Sequence, residues 1–314
     1  MTKYKYTFAY ILLNAISAVV ITFVGHTISV EVMIALSSLY ALLFFHCLNI
    51  GNFVVMYKKV LTNFKLCSLM ISIFGLMWWV CFLIPVYYTP AILMFYATAI
   101  PSLLGLFFTF KAKKQRQAQM GFFAILLLII GFYVALSQSE TLTSMALLLL
   151  LTLTAGITMY IYSRLSQSMN EIGFKPSEIL AIRFTLLTFF AFVYIFKSGA
   201  LFSISGRDAI FSLLVSIMSL IIPIYFSQIS ISKVGANDHS ILIGFTPFFC
   251  FITEAIYYKA TYNHSVPVHV DGYFSIALVI VLVIYSVKNV SSQKASMGLR
   301  TQAVKNDNIN NLRD

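Results

Sequence analysis

The stretch AIFSLLVSIMSLIIPIYFSQIS at residues 209–230 contains no Asp, Glu, Lys or Arg. With a rise of about 1.5 Å per residue, a helix of this length crosses a hydrocarbon core of about 30 Å. Its apolar residues are continuous and lack the two-residue alternation of a barrel strand. The stretch therefore predicts a membrane-spanning helix, and similar runs lie on both sides of it.

The composition of the whole chain agrees with this stretch. The 314 residues are 60% hydrophobic and 10% charged, whereas soluble domains carry about 25% charged residues. These values exclude a soluble globular domain, a disordered chain and a secreted disulfide scaffold. The four cysteines lie in apolar runs without CxxC spacing, so neither a metal site nor another cofactor is predicted.

Ten apolar runs are long enough to cross a bilayer as helices. They lie at about 7–24, 31–56, 66–86, 88–110, 118–137, 143–163, 179–196, 209–230, 240–258 and 272–287. The predicted fold is therefore an all-α integral membrane protein with ten transmembrane helices. The remaining residues, 288–314, are rich in Asn, Gln, Ser and Lys and predict a disordered cytoplasmic tail.

The basic residues predict the orientation of these spans. If the N-terminus is cytoplasmic, seventeen of the 21 Lys and Arg residues fall in cytoplasmic segments, and only Lys197, Arg207 and Lys259 fall outside. Such a bias is typical of cytoplasmic loops, so we expect both termini in the cytoplasm and the protein in the cell (inner) membrane. The net charge of +11 is thus explained by topology, and no nucleic-acid partner is predicted.

A weak internal repeat relates residues that lie 146 positions apart. Pro101 corresponds to Pro247, Ala35 to Ala181 and Phe44 to Phe190, and Trp79 falls on Tyr225. This offset divides the chain into a first five-helix repeat at 1–139 and a second at 140–287. Because five is odd, the second repeat enters the membrane from the opposite side. Inverted repeats of this kind are typical of alternating-access transporters, whose solute site lies near the bilayer midplane.

Three segments resemble the drug/metabolite transporter superfamily, in its ten-helix EamA-type branch. They are YYTPAILMFYATAIPSLLGLFF at 87–108, VGANDHSILIGFTPFFCF at 234–251, and SEILAIRFTLLTFF at 177–190. In the last segment, Arg183 stands at the family's frequent arginine position. The resemblance implies a secondary transporter, often an exporter, of a small metabolite.

The chain departs from the family pattern at two points. Ser37 stands in the first repeat where the arginine would be. The family's glutamate, about thirteen residues beyond the mid-span proline, is absent from both halves, because Glu254 lies only seven residues beyond Pro247. These departures leave the coupling residue of such a transporter open.

Several polar or aromatic side chains fall on helix stripes inside the predicted spans. Polar groups in hydrocarbon are costly unless they are satisfied, so these stripes should face the helix bundle. Two interpretations stay open for each residue, namely interhelical packing and the lining of a solute cavity. The candidates for solute binding are Asn14, Trp79, Tyr160, Tyr225 and Gln228.

Two charged side chains inside spans are candidates for gating or coupling. Arg183 lies five residues into its span, where it either snorkels to the cytoplasmic side and pairs with Glu178 or Glu171, or contacts a solute carboxylate. Glu254 lies near the outer end of its span, where it either forms a structural ion pair or exchanges protons, which are a candidate coupling ion.

The charge inventory also predicts the class of solute. Arg183 is the only Lys or Arg inside a predicted span, whereas a polyanion would need several buried cations to offset its desolvation. We therefore expect a small neutral or zwitterionic metabolite, such as an amino acid or a related amphiphile. Two alternatives remain: a membrane-embedded lipid-processing enzyme and a non-transporting membrane partner. No HExxH, phosphate-binding glycine loop or Ser/His/Asp set favours an enzyme.

Overall fold

The computed structural model describes residues 4–25, 27–87, 101, 104 and 142–262, and the regular structure in these ranges is helical. The helices are α1 (Lys5–Gly25), α2 (Val30–Leu48), α3 (Phe53–Thr62), α4 (Phe64–Tyr87), α5 (Leu142–Glu171), α6 (Pro176–Lys197), α7 (Gly206–Val234), α8 (Ala236–Leu242) and α9 (Thr246–Tyr262). Within this described part, α1, α2, α6 and α7 are each long and apolar enough to span a membrane. These helices indicate a membrane protein.

The run at 31–56, which is long enough to tilt or to include an interfacial stretch, is divided in the structure into α2 and a separate second stretch. Helix α2 ends at Leu48, and the side chain of Asn49 donates a hydrogen bond to the carbonyl of Phe45 at 2.8 Å. A short 3₁₀ turn then leads into α3, which has exposed apolar residues and Lys58 on its surface. The polar Asn49 can compete with the backbone and end the helix, although the hydropathy of the run continues past it.

Helices α3 and α4 are separated by a sharp bend at Asn63. Residues Ile50–Thr62 and Phe64–Met77 are bent by 98° with respect to one another. The backbone amide and the side-chain amide of Asn63 both donate to the carbonyl of Lys59, at 3.0 and 3.1 Å, and so cap the end of α3. An amphipathic α3 nearly perpendicular to α4 has the geometry of a helix lying in the membrane interface.

A short loop joins α5 to α6. Gly173 has a φ of 89°, and the amide of Phe174 donates to the carbonyl of Met169 at 3.0 Å, as in a Schellman ending. Pro176 then begins α6, and the backbone amide of Lys175 donates to the Glu178 carboxylate at 2.9 Å. The loop is therefore held by local hydrogen bonds and turns the chain within four residues.

Helix α7 contains a π-helical segment, Ser216–Ile221, just before Pro223. Proline has no amide hydrogen and its ring clashes with the preceding turn, and an extra residue in the turn relieves that clash. The run predicted at 209–230 is thus one continuous helix that extends to Val234.

The predicted span at 240–258 is interrupted. Helix α8 ends at Leu242, and a 3₁₀ turn at Ile243–Phe245 separates it from α9. A glycine, Gly244, lies in this turn and Pro247 begins the next helix, so both residues favour a break.

The helices of the two halves pack against one another in antiparallel pairs. Helix α2 lies along α6, and the end of α2 meets the start of α6 through hydrogen bonds between Asn49 and Ser177. Helix α1 lies antiparallel to α7. Thr7 at the start of α1 contacts Ser230 near the end of α7, and Phe23 near the end of α1 contacts Phe211 near the start of α7. The core of the described part is formed where these pairs meet.

Helix ends in the two halves coincide at the separation of 146 residues. Helix α1 ends at Gly25 and α5 at Glu171, while α2 begins at Val30 and α6 at Pro176. The same separation relates α1, α2 and α4 to α5, α6 and α7, respectively. Helix α4 packs on α5 and α6, and its counterpart α7 packs on α1 and α2. The runs predicted at 88–110, 118–137 and 272–287, and the tail from 288, lie outside the described residues, apart from the isolated positions 101 and 104.

Candidate functional site

A buried guanidinium occupies the region where α4, α5 and α6 meet. Arg183 has no exposed surface, although it carries a charge. Its guanidinium carbon lies 4.6 Å from the ring centre of Phe74, 5.2 Å from that of Tyr162 and 5.4 Å from that of Phe184. Three rings around one cation form an aromatic cage, which attracts the charge electrostatically.

Only part of the hydrogen-bonding capacity of Arg183 is used within the described residues. Its Nη1 donates to the hydroxyl of Tyr162, but Nε and Nη2 have no hydrogen-bond partner there. The described part of the chain likewise offers no carboxylate within ion-pair distance of Arg183. A guanidinium presents five donors in a fixed planar fork that matches a carboxylate. Among the described residues, Arg183 therefore keeps a pair of donor groups, Nε and Nη2, that suits an anionic oxygen.

The expected pairing of Arg183 with Glu178 or Glu171 is wrong. Glu178 bonds Lys59 through both carboxylate oxygens, at 2.9 and 3.2 Å, and Glu171 accepts a hydrogen bond from Gln167 at 2.8 Å. Arg183 also does not snorkel to the surface. The reason is positional, because Glu178 lies in the first turn of α6 and serves its cap, while Arg183 faces the rings of α4 and α5.

A second buried polar group lies beside α1. His239 on α8 is fully buried, with Nδ1 3.0 Å from the hydroxyl of Ser230 and Nε2 3.1 Å from that of Ser227. Ser230 in turn shares a hydrogen bond of 2.5 Å with Thr7. The result is a continuous chain of hydroxyl, imidazole and hydroxyl groups that joins three helices.

Tyr10 lies near both buried groups. Its ring centre lies 5.4 Å from that of His239, and its hydroxyl is within range of a long-range electrostatic interaction with Arg183. The arginine cage and the imidazole chain are separate groups in the same region of the core, and we call this region the Arg183–His239 cluster.

The loop between α7 and α8 sets the position of His239. Gly235 has a φ of 87°, a conformation that side chains rarely adopt, and it reverses the chain direction. The amide of Ala236 donates to the side chain of Gln167 at 2.8 Å. This turn brings α8 back against α7, so that the imidazole meets two serines spaced three residues apart on one helix face.

The described side chains among the residues predicted to bind solute differ in their burial. Asn14, Tyr160 and Gln228 are buried, and the hydroxyl of Tyr160 donates to the amide oxygen of Asn237 at 3.2 Å. The side-chain amide of Gln228 has no hydrogen-bond partner among the described residues. Tyr225 is 39% exposed and its ring lies 6.5 Å from that of Phe45, so it lies at the edge of the bundle.

Two predicted residues have side chains outside the described part. Trp79 belongs to α4 and Glu254 to α9, but only their backbones are described. Their predicted roles as cavity residue and coupling residue therefore stay predictions.

The sequence analysis assigned no role to Tyr162 or His239. Tyr162 lies two residues beyond Tyr160 and therefore on a different face of α5 from that candidate residue. His239 lies in the polar stretch at 236–240, one residue before the predicted span at 240–258, so hydropathy alone gives no reason to place it in the core. The proximity of both residues to Arg183 depends on the packing of separate helices.

Comparison with known proteins supplies no identification. No protein-family model matches the chain, and no curated protein matches it significantly. The class of protein that the fold defines is therefore a helical membrane protein with a buried polar core.

Proposed function

We propose that the protein is a secondary transporter that moves a small neutral or zwitterionic metabolite by alternating access between two inverted five-helix repeats. The solute class is an amino acid or a related amphiphile, and the resemblance noted in the sequence favours export from the cytoplasm. The observation that carries this proposal is the fully buried Arg183, whose Nε and Nη2 lack partners among the described residues.

The repeat relation supports the architecture. Corresponding helices end or begin 146 residues apart, as Gly25 and Glu171 illustrate. Helices α2 and α6, which correspond in this relation, run antiparallel, as inversion requires. Two halves related in this way can exchange conformations, so that a central site faces one side of the membrane and then the other.

Arg183 supports a solute that carries a carboxylate together with a compensating amine. A lone buried cation is costly, and an anionic partner offsets this cost. A single carboxylate uses the free fork of Arg183, and the rings of Phe74, Tyr162 and Phe184 supply an apolar wall for its carbon atoms. A polyanion would leave further negative charges uncompensated, because no second buried cation accompanies Arg183 among the described side chains.

A set of contacts closes one end of the bundle. Lys59 of the first repeat bonds Glu178 of the second and also donates to the carbonyl of Gly173 at 3.0 Å. Asn49 and Ser177 add two hydrogen bonds of 3.0 Å. We call these residues the Lys59–Glu178 clasp, and the charge distribution assigns this end to the cytoplasm. In alternating access, this clasp must open when the solute site at Arg183 faces the cytoplasm.

Counterflow in proteoliposomes tests the function. Vesicles loaded with a mixture of the standard amino acids are diluted into the same mixture with an isotopic label, and entry of each labelled compound is measured. We expect entry of one or a few amino acids into vesicles that contain the protein and no entry into empty vesicles. Absence of entry for every amino acid would contradict the proposed solute class.

The role of Arg183 is tested with paired compounds and paired variants. A transported amino acid should compete in the assay, whereas the amine that lacks its carboxylate should not. Arg183→Gln should abolish counterflow, while Arg207→Gln, which changes an exposed arginine at the start of α7, should leave it intact. Equal competition by the amine would show that Arg183 does not bind the carboxylate.

A further inference from the structure

We propose that His239 is the proton-binding site that couples transport to a pH gradient. The inference rests on the proposed function and adds the coupling ion and its site. The sequence analysis considered Glu254 for this role, but the buried hydroxyl–imidazole chain of Thr7, Ser230, His239 and Ser227 is a different candidate with a defined geometry.

The immediate partners of the imidazole suit both of its protonation states. A neutral imidazole has one donor and one acceptor nitrogen, whereas an imidazolium has two donors. Ser227 and Ser230 present hydroxyls, which either donate or accept after rotating about one bond. A proton therefore adds to the lone pair of one ring nitrogen, and leaves it again as a proton, while the Ser230 hydroxyl rotates toward Thr7 and accepts from the ring.

The chain also provides a route for the proton. Ser230 lies between His239 and Thr7, which is in the first turn of α1 next to Lys5 and Tyr6. A hydroxyl that accepts a proton on one side can release one on the other, so Ser230 and Thr7 link the imidazole to the end of the bundle. Thr7 and Ser230 are themselves fully buried, which keeps the route separate from bulk water in this conformation.

The neighbouring charges couple this site to the solute site. A proton on His239 adds a positive charge to the region of the core that already contains Arg183, and the Tyr10 ring lies beside the imidazole. At effective dielectric constants of about 20, charges in one cluster interact appreciably. The helices that pack on α8, and α8 itself, carry the following titratable and charged side chains in this region: Tyr6 and Tyr10 on α1, Tyr160 and Arg164 on α5, Lys233 on α7 and Asp238 on α8.

The test compares exchange with gradient-driven accumulation in the same proteoliposomes. Exchange needs only the solute site, whereas accumulation against a concentration difference needs the proton site as well. With a transported amino acid identified by counterflow, His239→Gln should retain exchange and lose accumulation driven by an imposed pH difference. A pH-sensitive dye inside the vesicles should report solute-dependent proton movement for the native protein and none for this variant.

A second variant keeps the imidazole and weakens its proton affinity. Replacing Ser227 and Ser230 together by alanine removes both acceptors of the imidazolium, and hydrogen bonds to charged groups are worth more than those to neutral ones. The pH midpoint of gradient-driven accumulation should therefore shift downward by about one unit or more. This double variant retains His239, so it tests the proton site even if His239→Gln does not fold. An unchanged pH midpoint would contradict proton binding at His239.

The outcomes separate the inference from the proposed function. If the native protein exchanges solute but shows no accumulation with a pH difference, the proton site is refuted while the transport function stands. Persistence of accumulation in His239→Gln also refutes it, and loss in Glu254→Gln alone would assign coupling to Glu254. Absence of exchange by the native protein would instead refute the proposed function.

Discussion

Arg183 is a fully buried charge that is held by aromatic rings instead of a carboxylate within the described residues. A planar guanidinium stacks on rings and forms fork-shaped hydrogen bonds, which an ammonium cannot reproduce. The serine that stands at the equivalent position of the first repeat, Ser37, is also fully buried but bonds its own helix backbone. The proposed repeat is therefore asymmetric at the residue where solute binding is proposed.

Arg183→Lys should lower the apparent affinity for the solute by about tenfold to a hundredfold, because charge-assisted hydrogen bonds contribute about 1.5–3 kcal/mol. The charge is conserved in this variant, so the loss would report geometry and not net charge. Competition by unlabelled solute in the counterflow assay measures the change. An unchanged affinity in Arg183→Lys would contradict a fork-shaped contact.

Tyr162→Phe should lower the free energy of unfolding by about 1–3 kcal/mol, because it leaves another buried guanidinium donor unpaired while conserving the ring. The matched control is Tyr225→Phe, which removes a hydroxyl from a half-exposed ring and should change stability little. Thermal unfolding in detergent, followed by intrinsic fluorescence, compares the two variants. Similar values for both would show that the Tyr162 hydroxyl is dispensable.

At the scale of helices, the Lys59–Glu178 clasp fastens the α3 end of the first repeat to the start of α6. Glu178 is 2% exposed and Lys59 is 30% exposed, so the carboxylate depends on its partners more than the amine does. The carboxylate also accepts the cap hydrogen bond from Lys175. The position of the Glu178 carboxylate is therefore determined by the start of α6. Lys59 reaches this carboxylate from α3, which is bent by 98° with respect to α4.

Lys59→Met should destabilise the protein by about 1–3 kcal/mol, because it removes the charged partner of a buried carboxylate. The control Lys58→Met changes an exposed neighbour on the same helix and should have little effect. The double variant Lys59→Met with Glu178→Gln should recover part of the loss, since the buried charge is also removed. Thermal midpoints of the four proteins test this, and equal midpoints for Lys58→Met and Lys59→Met would contradict it.

At the scale of the whole molecule, the two halves interdigitate instead of standing side by side. Helix α1 packs on α7 and α9, α2 on α6, and α4 on α5 and α6. Because each of these pairs joins the predicted first repeat to the second, the Arg183–His239 cluster contains residues from both. Motion of one repeat against the other would therefore change the surroundings of both buried groups at once.

The predicted topology is tested with single cysteines in a background in which Cys47, Cys67, Cys81 and Cys250 are replaced. Lys58→Cys should react with a membrane-impermeant maleimide only after cells are permeabilised, because this segment is assigned to the cytoplasm. Ser205→Cys, at the exposed start of α7, should react in intact cells. Reaction of both positions from the same side would contradict the number of spans predicted between them.

The apolar runs by themselves determine the all-helical character of the described chain and the approximate positions of α1, α2, α6 and α7. This is possible because the cost of placing a backbone and its side chains in hydrocarbon is a local property of each run. The runs do not locate helix breaks, since Asn49 and the turn at Ile243–Phe245 interrupt segments whose hydropathy continues.

The tertiary structure decided which polar groups meet. The sequence identified Arg183 as a candidate and left open whether it pairs with Glu178 or Glu171 or contacts a solute, whereas in the structure Glu178 bonds Lys59, 119 residues away. The cage of Phe74, Tyr162 and Phe184 and the chain from Thr7 to His239 join residues from separate helices. Such contacts depend on how helices pack, and side-chain packing between distant segments leaves no periodic signal in a single sequence.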